Sequence, residues 1–167
     1  MKQDFFHTQG GTLSGTGHRL EVIGYDNKPK LYRYASFIVA QYTPDVVISG
    51  MAIGWDQALA QGAVDNDVPF IAAVPFLGQA DVWPKEAQEE YQALLDKAAE
   101  VVIVCEGGFA THKYHVRDQW MVDHGDAMLA LWNGVKHGGT YSTVKMAEKA
   151  NKTIYNVWPG WEEFEVE

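Results

Sequence analysis

Short apolar runs rich in β-branched residues return along this chain at roughly regular intervals, and the segments between them carry apolar residues at helical spacing. Few folds accommodate that alternation. A strand separated from the next by a helix pairs with it in parallel, and a parallel sheet needs both of its faces covered. The runs are Asp45-Val46-Val47-Ile48-Ser49, Pro69-Phe70-Ile71-Ala72-Ala73-Val74, Val101-Val102-Ile103-Val104-Cys105, Ala127-Met128-Leu129-Ala130-Leu131-Trp132 and Thr153-Ile154-Tyr155-Asn156-Val157. A shorter and more polar run around Gly11 to Gly15 is read as the first strand.

Between the runs, Leu31, Tyr34, Ala35, Ile38, Val39 and Tyr42 form one helical stripe, and Trp55, Ala58, Leu59 and Ala63 form a second. Ala87, Tyr91, Leu94, Leu95 and Ala98 make a third after Pro84, which suits a first helical turn. Val144, Ala147 and Ala150 make the last, with Asn151 as its C-terminal cap. The sequence therefore predicts an α/β chain: one doubly wound, Rossmann-like domain over 1–160, with a mostly parallel sheet of about six strands and helices on both faces. Residues 161–167 are read as an acidic tail. The length of 167 residues holds one domain, and 47% hydrophobic residues against 21% charged exclude a disordered chain.

Thirteen Lys and Arg against twenty-two Asp and Glu give a net charge of −9, a field that opposes nucleic acid and anionic membranes. Duplex nucleic acid and membranes are therefore set aside as partners, and single-stranded DNA is ranked below small ligands because no Lys/Arg stripe offsets the field. Met1 to Ser14 contain no apolar leader core and no run is long enough to span a bilayer, so a cytoplasmic location is expected. Cys105 has no disulfide partner and sits in an apolar run, which reads as a buried, inert thiol. Of the six tryptophans, Trp83, Trp158 and Trp161 lie beside prolines and are the candidates for exposure at a homodimer or higher-oligomer interface.

In an open parallel sheet, ligands bind beyond the carboxyl ends of the strands, so the glycines there carry the functional signal. Four strand ends have them: Gly15-Thr16-Gly17, Gly50-Met51-Ala52-Ile53-Gly54, Glu106-Gly107-Gly108, and Gly134 with Gly138-Gly139-Thr140. Any single cluster is as well explained by turn geometry. Gly15-Thr16-Gly17-His18-Arg19-Leu20 starts as a dinucleotide fingerprint but has Leu20 in the place of its third glycine, which argues against a standard NAD site. Arg19 just past a strand end can hold phosphate oxygens, or it is an ordinary surface arginine. Gly138, Gly139, Thr140 and Thr143 precede or open a helix and can cradle an anion, or Thr140 simply caps that helix. No Lys follows as a phosphate-binding NTPase loop requires. Asp56 falls in the first turn of a helix, where an acid often only complements the dipole; facing a pocket it can bind ribose hydroxyls or stabilise a cation. His112, His115, His124 and Asp123 are too loosely spaced to argue for a metal, and no cofactor is called for.

These residues resemble the SLOG superfamily of Rossmann-like nucleotide-binding proteins, most closely its bacterial and phage branch with a strand-end Gly-His-Arg turn. The matching pieces are Thr16-Gly17-His18-Arg19, Ser49-Gly50-Met51-Ala52-Ile53-Gly54-Trp55-Asp56, Arg117-Asp118-Gln119-Trp120-Met121-Val122-Asp123, and Leu131-Trp132-Asn133-Gly134 with Gly138-Gly139-Thr140. More distant members are the Lonely Guy-type phosphoribohydrolases, DNA-processing protein A and sensors of NAD-derived signals. The phosphoribohydrolase motif Pro-Gly-Gly-x-Gly-Thr-x-x-Glu is kept here only in Gly138-Gly139: His137 replaces its Pro, and no Glu occurs before Glu148. The resemblance implies a ligand with a phosphorylated ribose, held by Gly17, His18, Arg19, Gly50, Met51, Gly54, Arg117, Gly138, Gly139, Thr140 and Thr143. The chain is then a nucleotide sensor or sequestering module, or an N-glycosidic hydrolase or transferase using Asp56, Glu106, Asp118 or Asp123. A third class is an interaction protein that has kept the fold and lost the ligand.

Overall fold

The computed structural model describes residues 10–165; most of the N-terminal segment read above, and the last two residues of the acidic tail, lie outside them. Among the described residues six strands form one sheet: β1 (Thr12–Gly17), β2 (Val46–Ser49), β3 (Phe70–Val74), β4 (Glu100–Ile103), β5 (Ala127–Leu131) and β6 (Thr153–Asn156). Their order is β4-β3-β2-β1-β5-β6, and every pairing is parallel. The α-helices are α1 (Leu20–Ile23), α2 (Lys28–Tyr42), α3 (Trp55–Asp65), α4 (Lys85–Leu95), α5 (His112–His124), α6 (Gly139–Lys149) and α7 (Trp158–Glu163). Among the described residues no helix is long and apolar enough to cross a membrane.

Alternation along the strands distributes the core over both faces. Leu13, Val47, Phe70, Ala72, Leu129 and Leu131 pack with α2, α3, α4 and α7, whereas Ile48, Ala73 and Met128 pack towards α5 and α6. The stripes read from the sequence fall on α2, α3, α4 and α6, except that Ala98 lies beyond α4 and that the exposed Ala150, not Asn151, is the C-cap of α6, Asn151 following it in the left-handed conformation at φ 59°.

β1 is polar for a packing reason. Ser14 and Thr16 are buried, and the Ser14 hydroxyl donates to the Met121 carbonyl at 2.7 Å, tying the strand to α5. On the other face α3 lies so close that a Cβ on Gly15 would stand 2.4 Å from Leu59, and one on Gly17 2.4 Å from Trp55. The strand runs two residues further than the sequence reading, so His18 and Arg19 follow its end directly.

Three expectations need correction. Trp161 is buried at 6% exposure, because α7 folds it onto the Tyr34 ring at 5.7 Å; Trp83 and Trp158 are half-buried against the same core. Cys105 is half-buried, because β4 is an edge strand with much of one face open to solvent. The sequence reading also passed over α1, α5 and α7: α1 and α7 are one or two turns long, and α5 buries only Arg117, Met121 and Val122, a stripe whose first member is a cation.

Candidate functional site

β1 and β5 are neighbours whose connections leave in opposite directions, β1 towards β2 and β5 towards β6. Their carboxyl ends therefore part, and a crevice opens between the loops that follow. Here it is a cleft of about 630 Å³, within the usual range for small-molecule sites. Of the residues singled out from the sequence, Gly17, His18, Arg19, Asp56, Arg117, Asp118, Gly138, Gly139, Thr140 and Thr143 line it.

The others stand elsewhere. Gly50, Met51 and Gly54 are buried in the β2–α3 turn. A Cβ on Gly54 would meet the Arg19 backbone at 2.7 Å, and one on Gly50 would meet the Arg117 guanidinium at 2.8 Å, so both glycines serve close packing. Glu106 lines a separate shallow groove with Leu77 and Ile103. Asp123 lies near the far end of α5, roughly 16 Å along the helix from His112 at 1.5 Å per residue, where it accepts from Gln119.

The rim of the cleft carries N–H donors and the Arg19 guanidinium, with the Glu21 carboxylate beside them. α6 opens at Gly139, and Gly138 before it adopts φ 94° with no side-chain cap, so Thr140 does not cap the helix. The Gly139, Thr140 and Tyr141 amides precede the first intrahelical donor and are oriented out of the helix end. A Cβ on Gly138 or Gly139 would meet nothing within 4 Å, which leaves these amides open to approach. Arg19 is exposed on the same cleft, and among the described residues its guanidinium has no hydrogen-bond or ion-pair partner.

The floor is a network built around Arg117. Its Nε donates to Asp118 at 2.8 Å, and its Nη1 donates to the carbonyls of Gly50 at 2.6 Å and Ala73 at 3.0 Å. The other Asp118 oxygen accepts from the Thr143 hydroxyl at 3.2 Å, a hydroxyl that also lies 3.0 Å from the Gly139 carbonyl. Arg117 and Thr143 thus hold the floor together. Asp56 accepts the Ala52 N–H at 3.2 Å through Oδ2. Desolvation pushes its carboxyl up to about 6, against the opposing attraction of Arg117 and the Ala52 bond.

Several lining residues are given no binding role by the sequence. Asn133 follows β5 as His18 follows β1, and its N–H donates to His18 Nε2 at 3.0 Å. That bond makes Nε2 an acceptor and puts the neutral ring's proton on Nδ1; burial also holds the His18 pKa below its ordinary value. Val22, Tyr114, His115, Val135 and His137 stand on the walls, and Glu21 adds a carboxylate to them. Asn133 was open to discovery, because the residue just past a central strand end faces the crevice in any such sheet. Among the described residues no group of three or more His, Cys, Asp or Glu is placed to hold a metal ion.

An all-parallel six-stranded sheet with its cleft at the β1/β5 divide and a glycine-opened helix on the rim defines a Rossmann-like α/β domain. Residues 44–159 match the model of the YpsA family, described as the YspA SLOG family, and the chain belongs to it. A curated relative is the uncharacterized SPbeta prophage-derived protein YoqJ of Bacillus subtilis (strain 168), 28% identical over 138 residues that make up 73% of this chain and 80% of that protein. The fold is shared with DNA processing protein A from Streptococcus pneumoniae, at TM-score 0.63 and 15% identity over 89% of this chain and 53% of that one. It is shared with the Helicobacter pylori protein of the same name at 0.62 and 17%, over 90% and 66%. The structural-genomics target TM1055 superposes at 0.56 and 11%, over 86% and 72%. The chain spans about half the length of the pneumococcal protein and just under two thirds of the other.

One of these likenesses overturns an expectation. The Helicobacter protein was solved for its single-stranded DNA binding mode, so a protein that contains this fold takes nucleic acid, and net charge does not remove it from the candidate partners. The reason is physical: −9 is a sum over the whole surface, whereas an anion meets the local donors of a rim such as that of Arg19 and α6.

Proposed function

We propose that the cleft binds a nucleotide or nucleotide-derived small molecule through its sugar and phosphate, and that the protein acts as a sensor or sequestering module. One observation carries the reading: the uncapped amino end of α6 and the unpartnered Arg19 guanidinium share one cleft at the sheet's divide. A helix end supplies N–H donors and a partial positive charge, and a guanidinium supplies a fork matched to phosphate oxygens. The walls offer Val22, Tyr114 and Val135 as apolar surface for a base.

Asp56 supports a second reading, N-glycosidic hydrolysis or transfer. Of the four acids considered from the sequence, it alone combines a place on the cleft with a carboxyl oxygen that no described residue engages, since both Asp118 oxygens are taken. A carboxylate there can stabilise an oxocarbenium-like centre at the anomeric carbon. Mass spectrometry on protein incubated with a mixed nucleotide pool and an oligothymidylate separates the possibilities. Retention of an intact nucleotide supports the sensor; free base with sugar phosphate supports the glycosidase. Retention of the oligonucleotide alone replaces both with a DNA-binding role.

A further inference from the structure

The β4 edge of the sheet carries a second concave surface, away from the cleft. None of the β4 side chains is buried, and α4 buries only Tyr91 and Leu94. The register Ala72↔Val101 and Val74↔Ile103 puts the exposed Val101 and Ile103 on the α4 face of the sheet, where Ala72 and Val74 belong to the core. Between α4 and the end of β4 lies a groove of about 660 Å³, with Val74, Tyr91, Leu95 and Ile103 as its apolar lining and the exposed Leu77 beside them. Leu77 and Ile103 also line the groove of about 320 Å³ at Glu106, so the two grooves adjoin. The backbone of this edge is open as well. β4 pairs with β3 alone, and the Val104 N–H donates to the Val74 carbonyl at 2.8 Å. Alternate residues of a parallel ladder bond to the same neighbour, so Val102 and Val104 face β3, and Val101 and Ile103 direct their N–H and C=O groups outward. The residues with open backbone groups are thus the ones with open apolar side chains. A further strand would satisfy the first and cover the second.

The surrounding charges specify what kind of strand. Residues 81–106 hold seven acids against Lys85 and Lys97, more than half of the net charge of −9. Asp81, Glu89 and Glu106 stand on the two grooves, and among the described residues none of them has an ion-pair partner. Lys85 is the cation on the larger groove, and the Lys113 ammonium near the smaller one is taken up by the Glu106 and Gly108 carbonyls at 2.5 and 2.7 Å. Glu100, in register with Ile71, lies on the opposite face of the sheet. We propose that the β4 edge and its groove dock an extended segment of a partner protein as a seventh strand, with apolar side chains at alternate positions facing the groove and Lys or Arg at the positions between them, on the side of Glu100. A second copy of this chain is the poorer occupant, because its own β4 would bring Glu100 and Glu106 to the same acidic edge.

The test is calorimetric titration of the full chain with the acetylated, amidated heptapeptides Lys-Val-Lys-Val-Lys-Val-Lys and Glu-Val-Glu-Val-Glu-Val-Glu, and with two forms of the first, N-methylated at the valines or at the inner lysines. The lysine peptide is expected to bind at least about tenfold more tightly than the glutamate peptide at low ionic strength. One methylated form is expected to lose binding and the other to keep it, because only alternate amides of an added strand meet the edge. Ile103→Lys is expected to weaken binding at least about tenfold, whereas Thr153→Lys, the same charge change on the β6 edge, leaves it unchanged. Equal binding of the lysine and glutamate peptides, equal binding of both methylated forms, or an equal effect of the two substitutions overturns the proposal. So does the absence of saturable binding by any peptide up to about 1 mM. Sedimentation of the wild type as a dimer that Ile103→Lys dissociates gives the edge to a second copy and overturns it as well.

Discussion

Arg117 occupies a position on α5 where the helix faces the sheet, a place that an aliphatic side chain ordinarily holds. Its charge is tolerated because Asp118 and two carbonyls meet it, and the cost of removing it is the burial of Asp118 and Asp56 without a cation. Arg117→Met is expected to lose about 3–5 kcal/mol in urea unfolding, as when one partner of a buried ion pair is removed. A loss below about 1 kcal/mol would show that the floor is solvated. Asp56 makes a prediction of opposite sign. Its folded pKa, about 6, lies above the ordinary 3.8, so between these values the native state binds more protons than the unfolded chain. Its contribution to stability is present below about pH 4 and is lost as the pH rises through about 6. Asp56→Asn lacks that loss and should gain on the wild type by something on the order of 2 kcal/mol across this range, read from urea titrations at each pH. A constant difference between the two proteins would refute the raised pKa.

The rim of the cleft is a property of α6 as an element. Gly139 has open space where a side chain would stand, so Gly139→Asp fits the backbone and places a negative charge in the first turn, where the dipole favours it. The fold should be unharmed, within about 0.5 kcal/mol, while affinity for a nucleoside monophosphate falls about tenfold or more. Unchanged affinity would remove α6 from the site. Elements also set how much of this was legible beforehand. β2, β3, β5 and four helices could be read because their buried positions are apolar and periodic. α5 could not, since Arg117 interrupts its stripe, and β1 was read short because its buried positions are Ser, Thr and Gly chosen for fit against α3 and α5. Strand-end glycines point to the edge of the sheet at which the cleft opens. They did not tell Gly138 and Gly139, with empty space at Cβ, from Gly17, Gly50 and Gly54, whose missing side chains admit Trp55, Arg117 and the Arg19 backbone. That distinction depends on what approaches from elsewhere in the chain, which no local pattern encodes.

At the scale of the molecule, the two edges of the sheet differ. β6 carries Thr153 and Asn156 and follows Lys152, whereas β4 has Glu100 as its one charge, and its Val101 and Ile103 are 42% and 43% exposed. Leu77, 75% exposed, lines the same groove as Ile103. An open edge with apolar side chains is a template for pairing with other chains, and edges are usually blunted by charges, of which this strand has only Glu100 at its start. At neutral pH the −9 net charge supplies long-range repulsion; near the sequence isoelectric point of about 5.0 it vanishes while the edge remains. Turbidity is therefore expected to peak near pH 5. Ile103→Lys and Thr153→Lys change the net charge equally but protect different edges. Compared each at its own isoelectric point, Ile103→Lys should suppress aggregation and Thr153→Lys should leave it as in the wild type. Equal protection by the two would assign the effect to charge rather than to the β4 edge, and the exposed Val101 and Ile103 would then be no more than the uncovered face of a short strand.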